Sequence, residues 1–285
     1  MTLKFLKFIL LKFIVIPGLL IVAPGISYSQ IVDNYLEDEK FLYAATKQVN
    51  QFFRRFNAEE DEMGNKLYEG DQKFRDRNQR QNFIKMLFDN ITAQYGDDLK
   101  KDFLQDVTDR TSPKFLDFHG GEWFAEVNAT FEYNGKEQPA ILFLKLEEEN
   151  LGSKWVFDRI HFEPYDKLFN IDTIDQRKFL HPMSHELDFM NLRKVFRDAS
   201  ELEDYTSKSY RPDFLSIFLY EIKKSELKFK TIKNVKFHFF QIDNWYFEIS
   251  EFNRRGYNKG WLISNLVQVS EEDKDLLVKY IYFNN

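Results

Sequence analysis

The spacing of apolar residues predicts helices in the first part of the chain. Apolar positions recur at intervals of three and four from Val32 to Phe56, which is the pattern of one long amphipathic helix. A polar stretch with two glycines follows at residues 58–72 and predicts a loop. Helical spacing returns over residues 76–91 and again over residues 97–107. Three helices therefore open the chain.

The period then changes to two, which is typical of β-strands. In residues 122–133, apolar side chains recur at every second position from Trp123 to Tyr133, and this predicts a strand with one buried face. Asn134 and Gly135 form a hairpin signal, so the run at residues 139–147 is expected to return beside the first strand. A third strand is predicted over residues 154–162, which completes an antiparallel meander.

The same order of elements recurs in the second part of the chain. Helical spacing appears from Leu187 to Phe196 and again from Phe214 to Ile222. Four strand-like runs follow, over residues 227–232, 235–242, 245–252 and 261–269, and a final helix is expected after Ser270. Trp155 and Trp261, 106 positions apart, each lie in a strand after a polar turn. The chain therefore reads as two copies of one helix-then-sheet unit.

These patterns predict an α+β protein of two domains, each with N-terminal helices packed on a curved antiparallel sheet. The first domain is expected at residues 30–165 and the second at residues 185–285. Residues 166–184 match neither period and contain Pro182, so we predict a linker there.

Residues 1–29 have the order of a secretory signal peptide: three lysines without an acid, an apolar run, and small residues before Gln30. Its removal shifts the formal net charge from −6 to −9, because it takes away three bases and no acid. We therefore expect export to the periplasm or the extracellular space, including association with the cell envelope, and no membrane insertion after cleavage. An acidic chain lacks the clustered bases that bind nucleic acid. The absence of cysteine excludes disulfides and thiolate chemistry.

The order of elements resembles that of the nuclear-transport-factor-2-like, or cystatin-like, cone fold, here in tandem. Helices come first and a sheet with a Trp-bearing strand follows, over residues 32–165 and again over residues 185–285. The resemblance implies a cone whose interior forms a pocket. That family includes isomerases, dehydratases and non-catalytic binding domains, so the resemblance alone fixes no function.

The stretch FLHPMSHELDF is a candidate metal site, since His181, His185 and Glu186 lie close together in sequence. Pro182 pushes His181 out of helical geometry, and Ser184 is a good N-cap for a helix that starts near His185. The two histidines therefore do not share a helix, as two zinc ligands at this spacing must. The sequence predicts no metal and no cofactor.

The strand at residues 154–162 supplies the predicted ligand-binding residues. If strict alternation holds, Trp155, Phe157, Arg159 and His161 share one face and line the concave side of the first cone. The alternative is that this is the outer face, where Arg159 only covers Trp155.

No catalytic constellation is evident from spacing, so the sequence favours an exported, non-catalytic binding or interaction protein. Its partner is a protein or a small molecule that the sequence does not identify, and the oligomeric state is open. The alternatives are an isomerase or hydrolase that uses a cone pocket and, last, a metal-dependent hydrolase using His181, His185 and Glu186.

Overall fold

The computed structural model describes residues 49–149, 152–168, 195–196, 199–207 and 209–283. The predicted signal peptide and most of the predicted linker lie outside the described residues. The helix predicted from Leu187 to Phe196 also lies outside them, except for its last two residues. The segment with His181, His185 and Glu186 lies outside them as well.

Helices appear at most of the places where the apolar spacing predicted them, and two short helices, Glu163–Leu168 and Ala199–Tyr205, were not predicted. The helices are α1 at 49–57, α2 at Arg77–Leu87, α3 at Asp97–Val107, α4 at Glu163–Leu168, a 3-10 helix at Ala199–Tyr205, α5 at Phe214–Lys223 and α6 at Glu271–Phe283.

Three of these helices begin at a side-chain cap. Asp76 accepts a hydrogen bond from the Gln79 amide at 2.8 Å and begins α2. Asp213 begins α5 in the same way. Ser270 accepts from the Asp273 amide at 3.2 Å, which confirms the predicted start of α6.

All six described strands lie in one antiparallel sheet. The strands are β1 at Trp123–Tyr133, β2 at Lys136–Glu149, β3 at Gly152–His161, β4 at Leu227–Phe239, β5 at Trp245–Phe252 and β6 at Gly260–Gln268. The predicted hairpin between β1 and β2 is confirmed, and Asn134 and Gly135 both have positive φ, as a tight hairpin turn requires.

Strand β4 is one strand where the sequence pattern indicated two. Its pairing with β1 carries two register shifts, which leave Lys230 and Lys233 as extra residues. A bulge reverses the face that later residues present, so the alternation is interrupted without a turn. The two short runs are therefore parts of one bulged strand.

The two halves of the chain do not form separate sheets, contrary to the prediction. The sheet order is β3-β2-β1-β4-β5-β6, so β1 of the first meander pairs with β4 of the second. Each of these strands would otherwise leave an unpaired edge, and pairing the two edges satisfies their main-chain groups. The division into two domains is not confirmed, because one sheet and one core include residues of both halves.

The order of strands in the sheet is nevertheless symmetric. It reads the same from both ends, with two three-stranded meanders meeting at an antiparallel pair of first strands. Asn128 and Asn234 face each other in the middle of that pair, and their side chains are hydrogen-bonded at 2.9 Å. The predicted repeat partners Trp155 and Trp261 lie on the two edge strands.

The first face of the sheet carries the main core. Helices α1 to α5 contribute to it, and the abundant phenylalanine is buried here, as the composition suggested. The rings of Phe239 and Phe247 stack at 4.7 Å between centroids, and those of Phe56 and Phe247 at 6.2 Å.

Helix α6 packs on the second face. Its Ile281 and Tyr282 form a small cluster with Phe124, Phe143 and Phe240. The expectation that β1 has one buried face is therefore wrong. Both of its faces are covered, because the strand is central in the sheet and a helix lies on each side.

Candidate functional site

The predicted site on β3 does not have the predicted geometry. Asp158 is an extra residue in the pairing of β2 with β3, where Leu144 faces Phe157 and Phe143 faces Arg159. Trp155 packs on the first face, at 5.2 Å from the ring of Trp123. Because of the bulge, Arg159 lies on the second face instead.

The other predicted ligand-binding residues are also dispersed. The Arg159 guanidinium lies 5.0 Å from the ring centroid of Tyr282 in α6. His161 forms a 3.8 Å contact between Nδ1 and Asp166 Oδ2, and Phe157 is 47% exposed. The structure does not assemble Trp155, Phe157, Arg159 and His161 into one pocket wall, and their role in ligand binding stays a prediction.

The described residues contain no group of three or more metal-ligating side chains of the His, Cys, Asp or Glu type. His181, His185 and Glu186 lie outside the described residues.

A buried row of polar groups crosses the second face of the sheet. Glu126 Oε2 lies 2.9 Å from Nε2 of His238, and the other ring nitrogen lies 2.9 Å from the Tyr246 hydroxyl. The Tyr246 hydroxyl also lies 3.4 Å from Glu248 Oε2. Asn128 donates to Glu126 Oε1 at 2.9 Å. The row therefore joins β1, β4 and β5 by side chains.

Burial determines what this row can do. Glu126 is 3% exposed and His238 is 2% exposed, so neither reaches a substrate in solution. Burial by itself would raise the pKa of Glu126, but the hydrogen bond and charge of His238 outweigh it and hold that pKa below its usual value. Burial raises the pKa of Tyr246. Both ring nitrogens of His238 already have partners, so the arrangement is that of a structural network.

The sequence pattern could not reveal this row. Glu126 occupied an ordinary polar position of β1, and His238 stood among phenylalanines in β4. The available signal was that each is a polar residue in a strongly apolar strand, but their contact depends on the pairing of β1 with β4, which are far apart in sequence.

A groove of about 540 Å³ lies on the first face, between α1, α2 and the β5–β6 hairpin. Its floor is formed by the buried side chains of Phe52, Phe83, Leu87 and Trp261. Met86 and the fully exposed Tyr257 stand at its rim. This volume falls within the range of about 300 to 1,000 Å³ that is typical of ligand sites.

Trp261 is the distinctive residue of this groove. It is 5% exposed, and its indole Nε1 has no hydrogen-bond partner among the described residues. In contrast, the indole of Trp123 donates to the Phe118 carbonyl at 3.1 Å, and that of Trp245 donates to Asp106 Oδ2 at 2.8 Å. A buried donor without an acceptor is costly, and such groups are rare in folded proteins.

A polar clamp holds the hairpin that forms one wall of the groove. Arg254 Nη2 donates to Asp89 Oδ1 at 2.6 Å, and Asn258 Nδ2 donates to the Phe88 carbonyl at 2.8 Å. Burial by itself would raise the pKa of Asp89, but hydrogen bonds from Thr92 and Arg254 lower it to about 2. The clamp fixes the hairpin to the end of α2, so this wall of the groove is preformed.

The charged rim of the groove is mostly acidic. Asp61, Glu62 and Glu251 line it together with Lys259. Arg55 also lines it, but its Nε is bound by the buried Glu60 at 2.6 Å. The rim therefore favours a cationic group on a ligand.

Comparisons of this chain with protein-family models, curated proteins and solved structures give no match. Within the described parts of the chain, no helix has the length and apolar character that crossing a bilayer demands. The resemblance to the cone fold accordingly stays a prediction, and the functional argument depends on the groove and on the buried row.

Proposed function

We propose that this protein is an exported, non-catalytic binding protein whose ligand occupies the groove at Trp261. The observation that carries the proposal is a preformed groove of about 540 Å³ with an apolar floor that includes Trp261. The buried Trp261 indole N–H has no acceptor among the described residues, so a ligand oxygen that gains access to it would satisfy the donor.

The floor and the rim of the groove are expected to contact different parts of the ligand. The apolar floor offers burial of nonpolar surface, which contributes about 25 cal/mol per Å². The exposed ring of Tyr257 is a large and rigid contact that loses little conformational entropy on binding. Export follows from the predicted signal peptide and is part of the proposal, and the mature protein is expected to meet its partner in the periplasm or outside the cell.

A second candidate is a small-molecule enzyme, an isomerase or hydrolase, and the short contact between Glu126 and His238 favours it. A carboxylate that orients a histidine is a common catalytic unit. Here the pair lies beneath other side chains and His238 has no free ring nitrogen, so the binding protein is the better supported function.

The test uses nuclear magnetic resonance of the indole N–H groups. We expect small carbonyl-bearing compounds at millimolar concentration to shift the Trp261 indole signal, while the signals of Trp123 and Trp245, which already have acceptors, stay in place. The substitution Met86→Trp fills the groove and is expected to weaken the effect at least about tenfold, because it removes the space for the ligand.

Ile91→Trp is the matched control, since Ile91 is similarly exposed but does not line the groove. The proposal fails if no compound shifts the Trp261 indole, or if Met86→Trp and Ile91→Trp bind equally well. A turnover that His238→Gln abolishes, and that Met86→Trp leaves intact, would favour the enzyme instead.

A further inference from the structure

We propose that the groove receives an extended peptide segment of another protein, which pairs with the open edge of β6 at Trp261 and places a lysine or arginine at the acidic rim. This inference depends on the proposed function and specifies its ligand class. Three features support it: the edge position of β6, the outward direction of the main-chain groups of Trp261, and the acidic side chains at the rim of the groove.

The edge of β6 is already partly covered by a strand-like contact. Strand β6 is the last in the sheet, and Phe88 forms a parallel bridge with Ile263 on its outer side. The Ile263 carbonyl accepts hydrogen bonds from the Asp89 amide at 3.1 Å and from the Tyr95 hydroxyl at 2.5 Å. The chain after α2 therefore adds to the sheet at this residue.

Two residues earlier, at Trp261, the same edge has no such pairing among the described residues. Glu251 faces Trp261 and Ile249 faces Ile263 in an unshifted register. Residues two apart in an antiparallel strand direct their main-chain groups to the same side, so the amide and carbonyl of Trp261 point outward as those of Ile263 do. No described residue from outside the sheet forms a hydrogen bond with the main chain of Trp261.

In the described part of the chain, Trp261 has no strand-like neighbour on its outer side because the residues before Phe88 are helical. Helix α2 continues to Leu87, so Met86 and Leu87 are helical and only the residues after them run along β6. The space between this last turn and the edge of β6 is the groove itself. An extended segment placed there continues the parallel pairing toward Gly260, with a rise of about 3.3 Å for each residue.

Strand addition also accounts for the polar groups of the groove. Main-chain hydrogen bonds supply affinity in this mode of recognition, and side-chain pockets supply specificity. Alternate side chains of the segment would fall on the apolar floor of the groove, beside Trp261.

The rim selects the charge of the segment. Asp61, Glu62 and Glu251 outnumber Lys259 and Arg55, and Arg55 shares the buried Glu60 with Arg54. A lysine or arginine on the segment is attracted to this rim, while an aspartate or glutamate is repelled.

The experiment titrates the full chain with three pools of acetylated and amidated hexapeptides. The first pool has lysine at two positions and is randomised elsewhere, the second has glutamate at those two positions, and the third is the lysine pool with every peptide nitrogen methylated. The readouts are the main-chain amide signal of Trp261, its protection from hydrogen exchange, and its indole signal.

We expect the lysine pool to shift and protect the Trp261 amide, the glutamate pool to act at least about fivefold more weakly, and the methylated pool to have no effect. Glu251→Lys is expected to remove the preference for lysine. Glu272→Lys, an exposed glutamate in α6 away from the groove, is the matched control that retains it.

Equal binding of the methylated pool would overturn the strand pairing, and equal binding of the lysine and glutamate pools would overturn the role of the rim. If no pool affects Trp261 while the small carbonyl compounds still do, the peptide inference fails and the proposed binding function stands. If neither peptides nor small compounds affect Trp261, both fail.

Discussion

The two faces of the sheet are stabilised in different ways. Among the described residues, helices α1 to α5 contribute to the core on the first face, which is built almost wholly from apolar side chains, with stacked rings such as those of Phe239 and Phe247. The second face has one described helix, a small apolar cluster, and the buried row of Glu126, His238 and Tyr246.

One sheet can therefore combine bulk stability on one face with a defined register on the other. Apolar packing is strong but tolerates rearrangement, since it has no directional bonds. A buried ion pair contributes little net stability, yet removing one partner is costly. The Glu126–His238 contact joins β1 to β4, so it opposes any slip at the pairing where the two meanders meet.

The largest loss of stability is expected from a substitution on the first face of the sheet. Phe247→Ala should lower the free energy of unfolding by about 3 to 5 kcal/mol, because Phe247 is fully buried and contacts four other aromatic rings. Phe240→Ala on the second face should cost less, since fewer rings surround it. Urea unfolding of both variants measures the difference, and equal losses would contradict the contrast between the faces.

Removing one member of the buried pair should have the next largest effect. His238→Leu is expected to cost about 3 kcal/mol, because it removes the imidazole contact from the buried Glu126 carboxylate. The double variant Glu126→Leu/His238→Leu should recover part of this loss. A double variant whose loss equals the sum of the two single losses would show that the pair is not coupled.

The clamp beside the groove is expected to contribute less. Arg254→Met should cost about 2 kcal/mol, since it removes a charged hydrogen bond to the buried Asp89 while retaining much of the side-chain volume. Arg255→Met, at an exposed neighbouring position, is the control. Thermal unfolding checks both variants, and equal melting temperatures would contradict the clamp.

The smallest expected effect is the contribution of Glu126 to acid sensitivity. Its folded pKa is lowered, so the stability that it contributes is present above the unfolded pKa of about 4.5 and is lost as the pH falls through the folded value. The effect is small because burial opposes the influence of His238. Glu126→Gln should flatten the fall in unfolding free energy below about pH 4.5, measured by urea titration against the parent chain.

Much of the secondary structure was predictable from the sequence. Helices α2, α3 and α5 and the strand from Trp123 to Tyr133 follow from local spacing, since side-chain periodicity directly reflects backbone geometry. The start of α6 followed from Ser270, because a cap acts within one turn of chain.

The candidate site was not predictable in the same way. The alternation argument placed Trp155 and Arg159 on one face of β3, and the bulge at Asp158 separates them. The groove joins residues of α1, α2 and β6 that are distant in sequence, and no local pattern indicates that they meet.

Spacing within about ten residues accounts for the α+β class and for most of the order of elements, but not for the pairing of strands. Contacts in the folded chain decide that the two meanders share one sheet, that Glu126 meets His238, and that Trp261 on the edge of β6 lacks a main-chain partner outside the sheet among the described residues. These are contacts between distant segments, and they depend on which edges pair and which helix ends first.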